Sequence, residues 1–352
     1  MNSLLEIPQN LIHGTIKDDT RYRHFSSFSA IGISKNTLNL SLNRAMDLNK
    51  GDVIRIKIQG VILDVEVLNF DKRKQHLVIF IEFTGRLRSE ISSVLLQHTQ
   101  LTPKVLSELG LSCRQIKGYL DYSFVKTQEE YQQVLMLRRQ TYSEVNKMEV
   151  DRPLDKLKYF FDDYSDILIV RHGNNIIGSA AIIYGDGKEK PFEVQKLMLE
   201  DNHQFEANEL EFNDSMIEVA ALCVLKNYRK TDVVHGVFEN LCYEMMKHKK
   251  EYIIASSDEI LAKTYKAIGF SETGQSFVQP KYNNLHMKVL IVSKNAALKS
   301  KNVKFLHWWP IWGEIVRRMK EKSIVKISPW DRARLFIREM SYKIVKAFDI
   351  NN

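Results

Sequence analysis

One carboxylate interrupts an otherwise apolar run. Residues 216–224 read MIEVAALCV, and Glu218 is the charged position among them. A carboxylate on such a strand would be partly desolvated, which strengthens its hold on a proton and suits it to general-base work. The alternative is a sheet-edge carboxylate in an ion pair. Arg138 could grip a carboxylate through a two-pronged contact, or it could pair with Asp162 or Asp163. Around Arg229-Lys230-Thr231-Asp232 lie Lys226, Lys247, Lys249 and Lys250. That basic set fits an acidic partner surface or, equally, a solvated face. The chain has no CxxC pair and no HExxH, so no zinc site is expected.

Alternating strand and helix signals must position these residues. Tyr119–Val125 reads as a strand, and Thr127 opens a helix with a capping box because Glu130 lies three residues on. Ile167–Arg171 and Ile176–Tyr184 are apolar strands joined by Gly173-Asn174-Asn175, a hairpin signal. The polar segment from Gly185 to Asp214 exceeds most compact-domain loops and is expected to be a substrate lid. A strand at Met216–Val224, a helix near Val233–His248, a strand at Tyr252–Ala255, a helix at Ile260–Ala267 and a strand at Leu285–Val292 complete the pattern. Upstream, Val53–Ile58, Val61–Val67 and Leu77–Phe83 are short β-branched runs separated by turn residues, which predicts a small antiparallel barrel. Ser89–His98 and Pro103–Leu109 read as helices after it.

The length of 352 residues suggests two domains, and 44% apolar with 27% charged residues excludes a disordered chain or a fibre. No uninterrupted apolar run is long enough to span a bilayer. The first residues lack the basic-then-apolar order of a secretion signal, and Cys113, Cys223 and Cys242 are few and widely spaced, so a reducing cytoplasm is expected. The charge of +8 is not spread evenly. From Ala296 to Asn352 there are 13 basic and 5 acidic residues, whereas the rest of the chain balances at 38 of each. The same tail holds Trp308, Trp309, Trp312 and Trp330, all four tryptophans.

The order of elements resembles the GCN5-related N-acetyltransferase (GNAT) fold over about Tyr119 to Lys294. The segment Leu261-Ala262-Lys263-Thr264-Tyr265-Lys266-Ala267-Ile268-Gly269-Phe270 looks like that family's late helix with its Tyr and terminal Gly-Phe. The stretch from Ile217 to Val224, then Asn227-Tyr228-Arg229, resembles its central strand and donor loop. Leu137-Arg138 to Tyr142, the aspartates Asp162, Asp163 and Asp166, and Glu218 bring the resemblance closer to N-acyl amino acid synthases and acyl-homoserine lactone synthases.

The resemblance implies transfer of an acyl group from a thioester to an amine. Glu218 would take the amine proton and Tyr265 would donate to the leaving sulfur, the two converging in a wedge between parted strands. A plain packing role is the alternative for Tyr265. Main-chain N–H groups around Leu222 to Val224 would hold the acyl carbonyl, Arg229, Lys230 and Thr231 the donor, and Arg138, Asp162 and Asp163 the acceptor. The donor loop departs from the family pattern, since Arg229–Val234 contains no glycine and Asp232 sets a negative charge where coenzyme A would place its diphosphate. A phosphopantetheine arm on an acyl carrier protein suits that loop better, with acyl-CoA as the other donor. Ala221 stands where relatives carry a further anion ligand, so an acceptor other than homoserine lactone is expected.

The barrel, over about Arg21 to His98, resembles a PilZ domain. Ser34 matches its short serine motif, and Lys17 with Arg21 and Arg23 stands where the domain's arginines hold cyclic di-GMP, although Lys cannot stack and chelate as Arg does. A barrel used for docking alone is the alternative. In the tail, Ser328-Pro329-Trp330-Asp331 is a helix start. Ala333, Phe336, Ile337, Met340, Ile344, Ala347 and Phe348 fall on one face, with basic residues off it. With Phe305–Met319 this suggests a segment (305–348) lying on an anionic membrane; packing on the protein's own domains is the alternative, and nucleic-acid binding is not expected.

The expected architecture is therefore α+β: a PilZ-like barrel with helices over 1–112, a mixed α/β GNAT-like acyltransferase domain over 113–295, and a basic amphipathic helical tail over 296–352. The expected function is N-acylation of an amine, an amino acid by preference, with a fatty acyl thioester at the cytoplasmic face of a membrane, under control of the barrel. An acetyl-CoA-dependent acetyltransferase, or a cyclic di-GMP effector with an inactive transferase fold, are the alternatives.

Overall fold

A computed structural model describes residues 5–350 except 8–10, 18–24, 35, 44–45, 59–60, 74–75, 83–84, 98–100, 112, 146–148, 150, 201–210, 280–282, 295–308 and 322–327. The chain forms two compact units, Met1–Tyr119 and Leu120–Asn352.

The first unit is a closed antiparallel barrel, as expected. Its strands are β1 (Leu5–Glu6), β2 (His13–Lys17), β3 (Phe25–Ile33), β4 (Thr37–Leu42), β5 (Val53–Ile58), β6 (Val61–Arg73) and β7 (His76–Glu82), in the order β1-β3-β2-β5-β6-β7-β4. A β3–β4 ladder closes six of them into a ring, and this architecture fits a PilZ-like domain. Along β5, Ile54, Ile56 and Ile58 are buried while Val53, Arg55 and Lys57 are exposed, the period-two pattern of a strand with one wet face. Two helices follow, α1 (Gly85–Leu96) and α2 (Pro103–Glu108). The latter starts with Thr102 as N-cap and Pro103 in its first turn.

The second unit carries a mixed sheet in the order β13-β14-β12-β11-β10-β9-β8. The strands are β8 (Asp121–Phe124), β9 (Ser165–His172), β10 (Asn175–Ile183), β11 (Met216–Val224), β12 (Tyr252–Ser257), β13 (Ser271–Gln279) and β14 (Leu285–Ser293). One face is covered by α3 (Gln128–Ser143), whose capping box forms as expected, and by α4 (Glu193–Glu200). The other is covered by α5 (Val233–Lys247) and α6 (Glu259–Ala267). β11 and β12 run parallel, so the chain must cross between them, and α5 is that crossover.

Three expectations need correction. The segment Gly185–Asp214 is not a free lid throughout: Phe192, Val194 and Met198 are buried, the last two in a core cluster with Phe277, Met287 and Val289. The polar run Ser271–Gln279 is an additional edge strand. The Trp-rich segment is partly core. Trp309–Gly313 forms a π-helical turn, followed by α7 (Glu314–Glu321) and α8 (Pro329–Ile350). Trp312 is 1% exposed and donates from Nε1 to the Ile268 carbonyl at 3.0 Å, satisfying an orphan acceptor at the end of α6. Trp308 and Phe305 lie outside the described residues.

Trp312 therefore ties the tail to the second unit. Truncating it to Ala removes a buried indole and a buried hydrogen bond together, and is expected to cost about 3–5 kcal/mol. Denaturant unfolding should show a lower midpoint, whereas Trp330→Ala, at an exposed position, should leave it in place.

Candidate functional site

The parallel ladder between β11 and β12 is short. It joins Met216 to Tyr252, Ile217 to Ile253, Glu218 to Ile254 and Val219 to Ala255, and then stops. Beyond it β11 stays with β10 as far as Val224, while β12 stays with β14 as far as Ser257. The two strands part, leaving a fork in the centre of the sheet. At the fork β11 carries a bulge: its register with β10 shifts between Ser179 and Ala181, and Ala221 takes a positive φ of 50°. An extra residue of this kind re-aims side chains and frees backbone groups from the ladder. Leu222 and Val224 lie on the freed arm and are half-buried.

Glu218 stands at the apex, in the last turn of the pleat before the strands separate. It is fully buried, and it accepts hydrogen bonds from the backbone N–H of Glu193 at 2.6 Å and of Val194 at 3.2 Å. Its carboxylate thus sits at the start of α4, where the helix dipole favours negative charge. A second buried acid, Glu193, lies beside it and accepts from Gln279 Nε2 at 3.3 Å. Burial and then the Glu193 charge push the Glu218 carboxyl well above the ordinary range, and the two N–H donors offset this in part. Tyr164, whose hydroxyl donates to the Pro191 carbonyl at 2.6 Å, is pushed up to about 12 by burial and by the Glu218 charge. Neither Glu193 nor Tyr164 stood out in the sequence. Their signal, a Glu next to the apolar pair Phe192 and Val194, was submerged in a long polar stretch.

Tyr265 lies on the other face of the sheet, on α6. It is buried on α6, edge-on to Phe238 of α5 at 5.3 Å and to Phe270 at 5.2 Å. Burial and the Asp258 charge raise its phenol, which therefore keeps its proton. Glu218 shares its face with its cross-strand neighbours Ile183 and Ile254, which pack with the α3 residues Leu135 and Leu137. The two candidates lie on opposite faces of the sheet, which corrects the expected convergence of both side chains in one wedge: each could meet a thioester only from its own side of the fork.

The donor loop is held from behind. Arg229 donates from Nε to the Val224 carbonyl at 3.0 Å and pairs with Glu144 at 2.9 Å. It ties the loop to the end of α3 and does not present a free guanidinium. Thr231 Oγ1 donates to the Tyr228 carbonyl at 2.7 Å, and the Tyr228 hydroxyl meets His172 Nδ1 at 2.9 Å in a buried contact. Lys230 has a positive φ of 65°, uncommon for a residue with a side chain, and is exposed together with Lys226. The expected basic cluster divides. Lys247 pairs with Glu244 and Lys250 with Asp214; Lys247 ends α5 and Lys250 lies just past it, about 22 Å along its axis from the donor loop at 1.5 Å per residue.

Arg138 is a correction as well. It is 1% exposed, and both arms of its fork are closed on Asp162 at 2.7 and 3.0 Å, with Tyr159 beneath at 4.8 Å. Asp162 also accepts from Tyr131 and from the Tyr159 N–H. This set pins α3 to the following segment, and a carboxylate ligand has no open guanidinium there. Asp163 is exposed and pairs with Lys158 at 2.8 Å. Beside it a cleft of about 600 Å³ is lined by Tyr131, Leu135, Asp155, Asp163, Ser165 and Asp166 among others. Ser165 pairs with Ile183, which pairs with Glu218, so the cleft floor is two strands, about 10 Å, from the buried acid. In the barrel, the Ser34 hydroxyl bonds Thr37 Oγ1 at 2.7 Å and closes a turn. Lys17 belongs to β2, and Arg21 and Arg23 lie outside the described residues.

Residues 137–239 match the family model of the acetyltransferase (GNAT) domain. The second unit thus contains a GNAT-domain segment over those residues. Among curated proteins none matches the chain. Solved structures with a similar fold include FeeM, an N-acyl amino acid synthase from uncultured soil microbes, at 12% identity and a TM-score of 0.41 over 52% of this chain and 94% of that one. The acyl-homoserine lactone synthase LasI is similar at 11% identity, TM-score 0.37, over 49% and 88%. YncA from Salmonella typhimurium, with its cofactor acetyl-CoA, is similar at 12% identity, TM-score 0.33, over 50% and 94%.

The Glu218 carboxyl gives a pH test. Its folded-state affinity for a proton exceeds that of the unfolded chain, so folding takes up a proton and stability falls as pH rises above the ordinary carboxyl range. Unfolding measured from pH 5 to pH 9 should show that decline, and Glu218→Gln, which keeps an acceptor oxygen for the two N–H groups, should flatten it.

Proposed function

We propose that this protein transfers a fatty acyl group from a thioester to the nitrogen of a small amine, an amino acid by preference. The observation that carries the reading is the fork between β11 and β12 with its bulge at Ala221; its β11 arm lies inside the residues that match the GNAT domain, 137–239.

A thioester laid in the gap would be reached from both faces. From the α3 and α4 side the amine would enter past the cleft at Tyr131 and Ser165, which is lined by both aspartates and lysines. Glu218 in its carboxylate form, a stronger base than a surface carboxylate because burial and Glu193 raise it, would take one proton from the ammonium to free the lone pair for attack on the carbonyl carbon, and the second proton would pass from the nitrogen to solvent after the attack. Main-chain N–H groups of the freed arm from Leu222 to Val224 would face the oxyanion. The C–S bond then breaks, and Tyr265 would meet the departing sulfur from the α5 and α6 side. A phenol raised this far stabilises the thiolate as a hydrogen-bond donor, and the proton that completes the thiol comes through it from solvent or from the protonated Glu218.

Asp232 at the start of α5 repels a diphosphate, and the exposed Lys226 and Lys230 favour an acidic surface beside the same loop. Both features support a carrier-protein thioester as the donor. The closed Arg138–Asp162 pair removes the guanidinium that would have recognised the acceptor's carboxylate.

The protein incubated with acyl carrier protein thioesters, acyl-CoA of several lengths and an amine mixture should give long-chain N-acyl products by mass spectrometry. Glu218→Gln should lower kcat at least tenfold and Tyr265→Phe by roughly 10- to 100-fold, both with intact folding. Product from acetyl-CoA alone would replace this reading with that of an acetyltransferase.

A further inference from the structure

Helix α8 is amphipathic in an inverted sense. At about 100° per residue, Trp330, Ala333, Phe336, Ile337, Met340 and Ile344 share one face, and every one of them is exposed. Trp330 is 79% exposed, Ile337 64%, Phe336 63% and Ile344 53%. The side turned towards the rest of the unit carries Leu335, Arg338 and Tyr342, all half-buried. Tyr342 lies near enough to Asp232 of the donor loop for that charge to raise its phenol, after burial. A surface helix of a soluble protein ordinarily does the reverse and hides its apolar face. A contiguous exposed apolar surface of this kind marks an interaction site.

The charges beside the stripe identify what covers it. Arg334 flanks one edge and Arg332 with Lys343 the other. Lys343 has Glu339 as a partner at 2.7 Å, while Arg332 and Arg334 are exposed and have no acidic partner among the described residues. The region from Ala296 onward carries the whole net charge of +8. Pairing two copies stripe to stripe would bring these like charges together. An apolar stripe opening on a tryptophan and bordered by arginine and lysine matches the layering of a membrane interface, with acyl chains below and anionic headgroups at the rim.

We propose that α8 lies in the plane of an anionic lipid surface, with its exposed stripe among the acyl chains. The segment before α8 is fastened to the domain. Trp312 is buried against the end of α6, and Arg318 of α7 pairs with the buried Glu239 of α5 at 3.1 Å. The start of the donor loop would then face the bilayer edge, where a long-chain acyl group and its product partition. Lipid binding itself does not depend on acyl transfer and is measured without it.

The test is co-sedimentation of the full chain with vesicles of phosphatidylcholine alone and with 30% phosphatidylglycerol. Binding should favour the anionic vesicles and weaken with salt. Phe336→Ser with Ile337→Ser, both at exposed positions, should lower partitioning at least tenfold. Arg332→Gln with Arg334→Gln should lower it by about 25-fold, at about fivefold per basic residue. Circular dichroism and thermal unfolding should match those of the unaltered chain. Equal binding to both vesicle types would overturn the proposal. So would unchanged binding by the serine variant, or a serine variant whose change is confined to self-association on size-exclusion chromatography. Loss of all acyl transfer with vesicle binding retained would count against the enzymatic reading and leave this one standing.

Discussion

Much of the second unit follows from a parallel pair that cannot stay paired. β11 and β12 are joined through a crossover helix, and their ladder ends after Val219 and Ala255. Past that point each strand is claimed by its antiparallel neighbour, β10 on one side and β14 on the other. Antiparallel ladders are slightly more stable per residue than parallel ones, so the parallel pair is the one that opens. The bulge at Ala221 adds a residue to β11 just beyond the split and increases its local twist. The result is a gap in the middle of a sheet whose backbone groups would otherwise be bonded to each other. Packed helices on both faces keep the gap narrow, and the site is made of backbone as much as of side chains.

The apex of the fork holds the most costly group in the unit. A fully buried carboxyl next to a second buried acid is unfavourable in its charged form, because desolvation and like charge act in the same direction. Two backbone N–H groups at the start of α4 compensate in part. Helix α4 thereby acquires a cap and Glu218 acquires a fixed orientation, so each stabilises the other. A contrasting solution appears at Arg138, where the opposing charge of Asp162 is present in bidentate geometry with two further donors to the same carboxylate. Burial at that site is matched by pairing, whereas at Glu218 only two backbone N–H groups oppose it and the affinity for a proton stays raised. That difference separates a fastening from a group able to exchange a proton.

Alternation and turn chemistry were enough to locate β5 to β7, the β9–β10 hairpin, β11, α5 and α6 within a few residues. They failed where tertiary contacts decide. The strand Phe25–Ile33 reads FSSFSAIGI, and its serines and glycine mask a β-signal that the closed barrel supplies from both neighbours. Ser271–Gln279 is polar because it lies at an edge of the sheet, one wet side being tolerated there. Helix α4 was hidden inside a charged stretch because its buried side is only Val194 and Met198, too short a stripe to register as a period. At the site, Glu218 was visible because a charge in an apolar strand is anomalous. Arg138 was visible as well, but its partner was one of two alternatives, and which of them was taken depended on the fold around Tyr131 and Tyr159. Glu193 was not visible at all, since a glutamate in a polar run carries no signal until the chain brings it beside another.

The tail shows why amphipathicity read from a sequence does not say which way a helix faces. The periodicity of α8 is equally compatible with an apolar stripe turned inward or outward. The choice is made by the preceding segment. Trp312, Ile315 and Val316 are buried, so the anchoring apolar surface is contributed by the π-helical turn and α7. Helix α8 is then free to pack through Leu335, Arg338 and Tyr342. Because Trp312 ends on the carbonyl of Ile268, three residues beyond Tyr265, and Tyr342 approaches Asp232 at the start of α5, the same anchor borders both helices of the face on which the leaving group would depart.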